Sequence, residues 1–315
     1  MSTVRNTHKA KESKNHLLTA SILSLFAATF LLLLLQSNPD RSSFGRLPLL
    51  TIPWGLAVVL LTTRTAARTH RWFAPCAIGM IVRILFIDQP PLLSDDVYRY
   101  LWEGMVLNRG ENPLINSPDA LAYLNPSLHT KVNHAHLASI YPPVALRWFQ
   151  LLDIFGGQLR VAQTMAILAE AATMGGIVFI LRQQKTSMWP LWVYALHPLA
   201  VLESSWSSHV DTIALPFAVW SIWAYHAHKN VFSLWLCALG GFTKLFPLLW
   251  APRLFMQLKP TQKVSSLALI IGTGILCAWP VLSTNSSSFH SFLVFSEQWE
   301  FNGFLFPILT VFLGT

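Results

Sequence analysis

Two adjacent carboxylates, Asp95 and Asp96, follow an apolar run and open a stretch with helical spacing. Ionised acids are costly within a bilayer, so a chain this apolar that gathers them in one loop is expected to use them there. Paired carboxylates suit general acid–base chemistry or the binding of a divalent ion. Ser94, after Pro90 and Pro91, is a good helix N-cap and would put both acids in the first turn. Val97, Leu101 and Met105, with Tyr98 and Trp102 beside them, recur at helical spacing, and Asn108-Arg109-Gly110 supplies a stop. This pattern predicts an amphipathic helix lying on the outer membrane surface, its N-terminus aiming the acids at the rest of the protein. First-turn acids also complement a helix dipole, so spacing alone leaves both a structural and a chemical reading open.

Four further segments carry candidate groups. Tyr141-Pro142-Pro143 sets a rigid, extended approach to a helix. A polar loop after Leu202 holds Glu203, His209 and Asp211, where the last two could bind a metal or a phosphate-bearing headgroup, or simply cap and solvate a helix end. Lys244 interrupts an apolar run, where a lysine must pair or snorkel, and it suits a lipid phosphate. Glu300 and Asn302 belong to an aromatic and polar cluster, 295–303, fit for sugar hydroxyls, although an interfacial aromatic belt has the same composition. His134 and His136 have no partner at metal-ligand spacing, and Arg83 is expected to pair internally.

The elements that must position these groups are membrane helices. Hydrophobic residues make up 53% of the 315-residue chain and charged residues 11%, which favours an all-α polytopic membrane protein over two soluble domains. A net charge of +8 would suggest nucleic acid in a soluble protein, but here the basic residues flank apolar runs and read as topology, so no nucleic-acid partner is expected. The three cysteines lie in apolar runs without a C-x-x-C pair, the pattern of buried thiols. A basic cytoplasmic N-terminus, 1–16, precedes a single transmembrane domain, 17–315. Apolar runs fall at 17–35, 47–63, 72–87, 161–181, 188–202, 212–225, 231–250, 264–282 and 304–313, the last too short to span unaided. A large polar, proline-rich outer loop occupies about 88–160.

With the N-terminus inside, the basic clusters fall on the cytoplasmic side provided that 231–250 turns back near Gly241. All acids except Glu12 and Glu170 then lie outside or at the outer edge, which points to a functional outer face.

Taken in order, these segments resemble the GT-C superfamily of membrane glycosyltransferases, and among them the bacterial polyprenol-phosphate-mannose-dependent mannosyltransferases of the family-87 type. The matching pieces run from Leu93-Ser94-Asp95-Asp96-Val97-Tyr98-Arg99-Tyr100 through Tyr141-Pro142-Pro143, His197-Pro198-Leu199 and Lys244-Leu245-Phe246-Pro247 to Glu300-Phe301-Asn302-Gly303. The resemblance implies a helix bundle with a catalytic first outer loop, a polyprenyl-phosphate sugar donor, a glycan or glycolipid acceptor, and inverting transfer on the outer face of a bacterial plasma membrane. It implies neither a cofactor nor a required metal, since a lipid monophosphate donor loses a simple phosphate, although the acid pair of a metal-dependent relative would instead hold a divalent ion. On this reading Asp95 is the general base and Asp96 its orienting partner, or the reverse. Arg99, His209 and Lys244 are candidates to meet the leaving phosphate, with Tyr141, Asp211, Glu300 and Asn302 lining the substrate. Such transferases usually carry further spans after the last outer loop, which keeps an inactive, transferase-like subunit as an alternative. A lipid or sugar transporter is disfavoured, because no repeat is present and the charges gather at one face.

Overall fold

The computed structural model describes residues 52–56, 58–59, 72–91 and 94–282. Over these residues the chain is helical, with no β-strand. Its principal helices are α1 (Phe73–Ile84), α2 (Asp96–Asn108), α3 (Pro143–Ile154), α4 (Leu159–Gln183), α5 (Trp189–Ala195), α6 (Asp211–His226), α7 (Asn230–Gly241) and α8 (Pro260–Leu282). Two of them, α4 with 25 residues and α8 with 23, are long and apolar enough to cross a membrane, while α1 and α7 are shorter apolar helices. The runs expected at 17–35 and 304–313, most of 47–63, and the cluster holding Glu300 and Asn302 lie outside the described residues.

Helix α6 packs between α4 and α7. A side chain at Gly176 of α4 would run into Val219 and Trp220 of α6, so the two backbones approach closely there. On the other side, Ser221 and Ser233 exchange hydrogen bonds with each other's carbonyls at 2.7 and 2.8 Å. Within α7 the chain ends its helix at Gly241, passes through a 3₁₀ turn, Phe246–Trp250, and returns along α7. Leu254 and Leu258 then pack on Leu234 and Cys237, the fold-back expected near Gly241. A Cβ on Gly241 would overlap the Leu248 side chain, so the return is as close as a glycine permits.

The expected run 188–202 is not one helix. It breaks at His197-Pro198, where proline cannot donate its backbone hydrogen bond, and passes into a π-turn, Leu202–Trp206. Between α1 and α4, Arg83 does pair internally. Its guanidinium meets Glu170 at 2.6 Å and donates to the Ala195 and Gly79 carbonyls. The stretch 88–160 is folded, and it contains both α2 and α3.

Helix α2 departs from the expected amphipathic surface helix. Ten of its thirteen residues are buried, including both of its interior charges, Arg99 and Glu103. One face meets α3, where Tyr100 stacks on Phe149 with ring centroids 4.5 Å apart. There a Cβ on Gly104 would overlap the Phe149 carbonyl. The opposite face, Trp102, Met105 and Val106, is covered by Leu121 and Val132 from the following loop. The aromatic side chains that read as membrane-facing are thus packed by the loop's own fold.

Helix α8 is tied to this unit at its far end. Pro280 has no N–H to offer the Leu276 carbonyl, and Arg147 of α3 donates to the carbonyls of Leu276 and Cys277 at 3.0 Å each. The Asn112 amide donates to the Val281 carbonyl at 3.3 Å.

Candidate functional site

The acid pair sits one residue earlier in its helix than the sequence suggested. Asp95, not Ser94, occupies the cap position, and helix α2 starts at Asp96. The Ser94 hydroxyl accepts the Asp96 N–H at 3.2 Å, and the Asp95 carbonyl accepts the Tyr98 N–H at 3.0 Å. The Asp95 side chain makes no cap hydrogen bond to the helix. Both carboxylates instead accept from one amide. Asn133 Nδ2 lies 2.8 Å from Asp95 Oδ1 and 2.5 Å from Asp96 Oδ1.

The segment leading to the pair is anchored on α4. Gln163 accepts the Asp88 N–H and donates to the Gln89 carbonyl, both at 2.8 Å. Trp206 at the end of the π-turn donates to the Pro90 carbonyl at 2.5 Å and stacks on Phe86. The π-turn is a rare local geometry often met at functional sites, and here it leads to His209. Ser208 takes a left-handed φ of 51°, and the His209 N–H returns to the Glu203 carbonyl at 2.9 Å.

His209 faces three acids. Its Nε2 lies 3.5 Å from Asp96 Oδ2, while its Nδ1 lies 2.5 Å from Asp211 Oδ2 and 3.8 Å from Glu203 Oε2. Lys244 Nζ is 3.2 Å from the same Asp211 oxygen. Burial alone would push the imidazole towards neutrality, but hydrogen bonds to Asp211 and Asp96 outweigh it and raise the pKa to about 9. Burial would also raise that of Asp96, yet hydrogen bonds from His209 and Asn133 hold it at about 2. At neutral pH ionised Asp96 and Asp211 therefore flank an imidazolium.

Packing explains why these distant turns converge. The carbonyl of Phe242, two residues before Lys244, accepts the Val144 and Ala145 N–H groups at 2.9 and 3.3 Å. It thereby satisfies the open N-terminus of α3 that Pro142-Pro143 begins. Beside the His209 turn, the Val210 N–H donates to the Tyr100 hydroxyl at 3.4 Å. Tyr141 lies edge-on to both Tyr100 and Phe149, at 5.4 and 5.1 Å between centroids.

Of the residues singled out in the sequence, Asp95, Asp96, His209, Asp211 and Lys244 come together, with Tyr141 in the aromatic layer beside them. Arg99 does not join them. It is buried in an ion pair with Glu103 at 2.9 Å and donates to the carbonyls of Asn133, His134 and Leu137. Glu300 and Asn302 lie outside the described residues. Glu203 and Asn133 join the cluster although neither was singled out as a site residue. Glu203 was legible as an acid of the same polar loop, but an asparagine in a polar loop carries no such signal. Among the described residues no three His, Cys, Asp or Glu side chains are arranged to hold a metal ion.

A half-buried carboxylate pair beside fixed cations can take a proton from a hydroxyl while the cations meet a departing anion. Residues 45–260, more than half of the chain, match the family model described as alpha-(1->6)-mannopyranosyltransferase, N-terminal domain. Neither a curated protein nor a solved structure matches the chain.

Proposed function

The chain belongs to the alpha-(1->6)-mannopyranosyltransferase family, and from that premise we propose that it moves a mannosyl group from a polyprenyl-phosphate donor to a hydroxyl of a glycan or glycolipid acceptor. The observation that carries this reading is the meeting of Asp96, tied to Asp95 through Asn133 at the start of α2, with His209, Asp211 and Lys244 from two remote turns.

The reaction is an inverting displacement. The acceptor oxygen bonds to the anomeric carbon of mannose, its proton passes to a carboxylate, and the bond from that carbon to the phosphate oxygen breaks with its electron pair. Inversion to an α-linkage requires a β-linked donor, and the family description supports the primary 6-hydroxyl of a mannose unit as the nucleophile. Asp95 is the general base. Asp96 is engaged by Ser94, Asn133 and His209, and suits an orienting part. Lys244 and His209 supply positive charge for the leaving phosphate, and Asp211 holds both of them in place. The step calls for no metal, so a chelator should leave transfer unchanged.

A multi-pass membrane location, with the site on the outer face of a bacterial plasma membrane, is supported by the apolar α4 and α8 and by the shorter apolar α1 and α7. A polyprenyl tail would then lie along the helices while its phosphate reaches the cluster.

The test is transfer of radiolabelled mannose from polyprenyl-phosphate-mannose by membranes carrying the chain. An Asp95→Asn, Asp96→Asn double variant runs beside it. Transfer by the native chain alone is expected. Transfer of a different sugar from the same carrier would replace mannose in the reading. A folded chain that transfers none would favour an inactive, transferase-like subunit.

A further inference from the structure

The loop segment 133–139 runs along one face of α2 and is fastened to it at three successive levels. At the first, Asn133 donates to both Asp95 and Asp96. One helical turn on, the Arg99 guanidinium collects the carbonyls of Asn133, His134 and Leu137, the last at 2.6 Å. A further turn on, Glu103 pairs with Arg99 through one oxygen and accepts the Ser139 hydroxyl at 2.7 Å through the other. Glu103 is 1% exposed and Arg99 7%. Burying two such charges is tolerated only where each is paired and hydrogen-bonded, as both are here. His134 takes a left-handed φ of 45°, closed by the Leu137 N–H on its carbonyl at 3.0 Å. Little freedom is left to the backbone that carries Asn133.

Two adjacent carboxylates repel, and each favours protonation of the other. A cation between them would form an ion pair with one and compete with the leaving phosphate. A neutral amide has two N–H groups and no charge, so it can serve both oxygens at once. We propose that Asn133 is a positioning residue that clamps Asp95 and Asp96 as an ionised pair, and that Arg99, Glu103 and Ser139 form the strap that presents it.

This proposal rests on the assignment of Asp95 and Asp96 to catalysis for its kinetic consequence, but not for the clamp itself. The pair is also faced by His134 from the strap, by His209, and by the charges of Glu203, Asp211 and Lys244 behind it. Arg99 and Glu103 lie along its own helix. None of these facing groups is altered by the variants below, which change Asn133 itself or the Ser139 hydrogen bond to Glu103.

The test has two readouts on the full-length protein in membranes, with Asn133→Ala and the near-isosteric Asn133→Asp. The first is the pH dependence of carbodiimide modification of the peptide holding Asp95 and Asp96, read by mass spectrometry. Carbodiimide attacks protonated carboxyls, so loss of the clamp should extend labelling to higher pH by about one unit or more in Asn133→Ala, and further in Asn133→Asp. Ser139→Ala, which loosens only the strap, should shift it less. The second is mannosyl transfer, where kcat should fall about 10-fold or more with donor KM within about threefold, and the acid limb should move to higher pH. An unmoved labelling profile in folded Asn133→Ala and Asn133→Asp overturns the clamp. A moved profile in a chain that transfers no sugar keeps the clamp and removes the transferase reading instead.

Discussion

Asp96 and Asp211 hold opposite nitrogens of one imidazole. His209 Nε2 lies 3.5 Å from Asp96 and Nδ1 lies 2.5 Å from Asp211, and Lys244 closes the line on Asp211 at 3.2 Å. An acid on α2 is thereby linked electrostatically to the turn after α7. A proton or a phosphate arriving anywhere along this line is felt at the acid pair.

The two acids are not equivalent, and this separates their variants. Asp96 is held by the Ser94 hydroxyl through its backbone, by Asn133 and by His209. Its low proton affinity makes it a weak base. Asp95→Asn is expected to lower kcat by about 10³-fold, within the range for a lost general base, and Asp96→Asn by about 10–100-fold. Initial rates at saturating donor measure both, and the reverse order would exchange their roles.

The raised pKa of His209 has a definite sign. A group whose folded pKa is about 9 against an ordinary 6.5 contributes stability that is fully present below 6.5 and lost as pH rises through 9. Asp96 acts oppositely, its contribution being present above 3.8 and lost as pH falls towards 2. Thermal unfolding in detergent should show the native chain losing stability between pH 6.5 and 9, by an amount on the order of 2–3 kcal/mol for the imidazolium. His209→Gln should be less stable at pH 6 and nearly flat across that window. Transfer should show a basic limb near pH 9 that the variant lacks.

Lys244 is 39% exposed, so solvent screens part of its charge. Lys244→Met is expected to reduce kcat/KM for the donor by about 10–100-fold, less than a fully enclosed donor to a developing anion would. Lys244→Arg should recover most of it. Donor saturation curves at two salt concentrations distinguish a phosphate contact, weakened by salt, from a packing effect that salt leaves alone.

Much of this cluster was legible because charge stands out in an apolar chain. Asp95, Asp96, His209, Asp211 and Lys244 each break a hydrophobic context, and the fold gathers them in one cluster. Arg99 also stood out, and there the inference stopped at type. Its spacing of four from Glu103 on one helix is that of an ion pair, and burial of both committed it to that pairing. Asn133 was invisible, since nothing local marks one polar loop residue among several. The burial of α2 was illegible for a related reason, because the residues covering Trp102 and Val106 come from a loop whose fold has no periodic pattern. Helices α4 and α8 were legible through length and apolarity alone. The break at His197-Pro198 was written in the proline, but the π-turn after it was not.

The orientation expected from the flanking basic residues can be tested directly. Ala120 is an exposed position in the 3₁₀ turn Asp119–Leu124, within the loop assigned to the outer face. In a chain whose three native cysteines are replaced, Ala120→Cys should react with an impermeant thiol reagent on intact cells. Labelling only after lysis would place the cluster on the inner face and overturn the proposed orientation.

The Arg83–Glu170 pair gives a stability test independent of activity. Both side chains are buried, Arg83 wholly so, and the network extends to the Tyr194 hydroxyl at 2.8 Å from Glu170 and the Ala195 carbonyl at 2.7 Å from Arg83. It joins α1, α4 and α5 through contacts that do not include the acid pair. Removing one partner strands the other charge where neither water nor lipid can solvate it, so Arg83→Met and Glu170→Met should each destabilise by about 3–5 kcal/mol. The double variant strands neither charge and should unfold at a higher temperature than either single one. Transfer per folded molecule should be little changed in all three, because no group of this network touches Asp95, Asp96, His209 or Lys244. A double variant no better than the singles would mean that packing around the guanidinium, and not its charge, holds the three helices together.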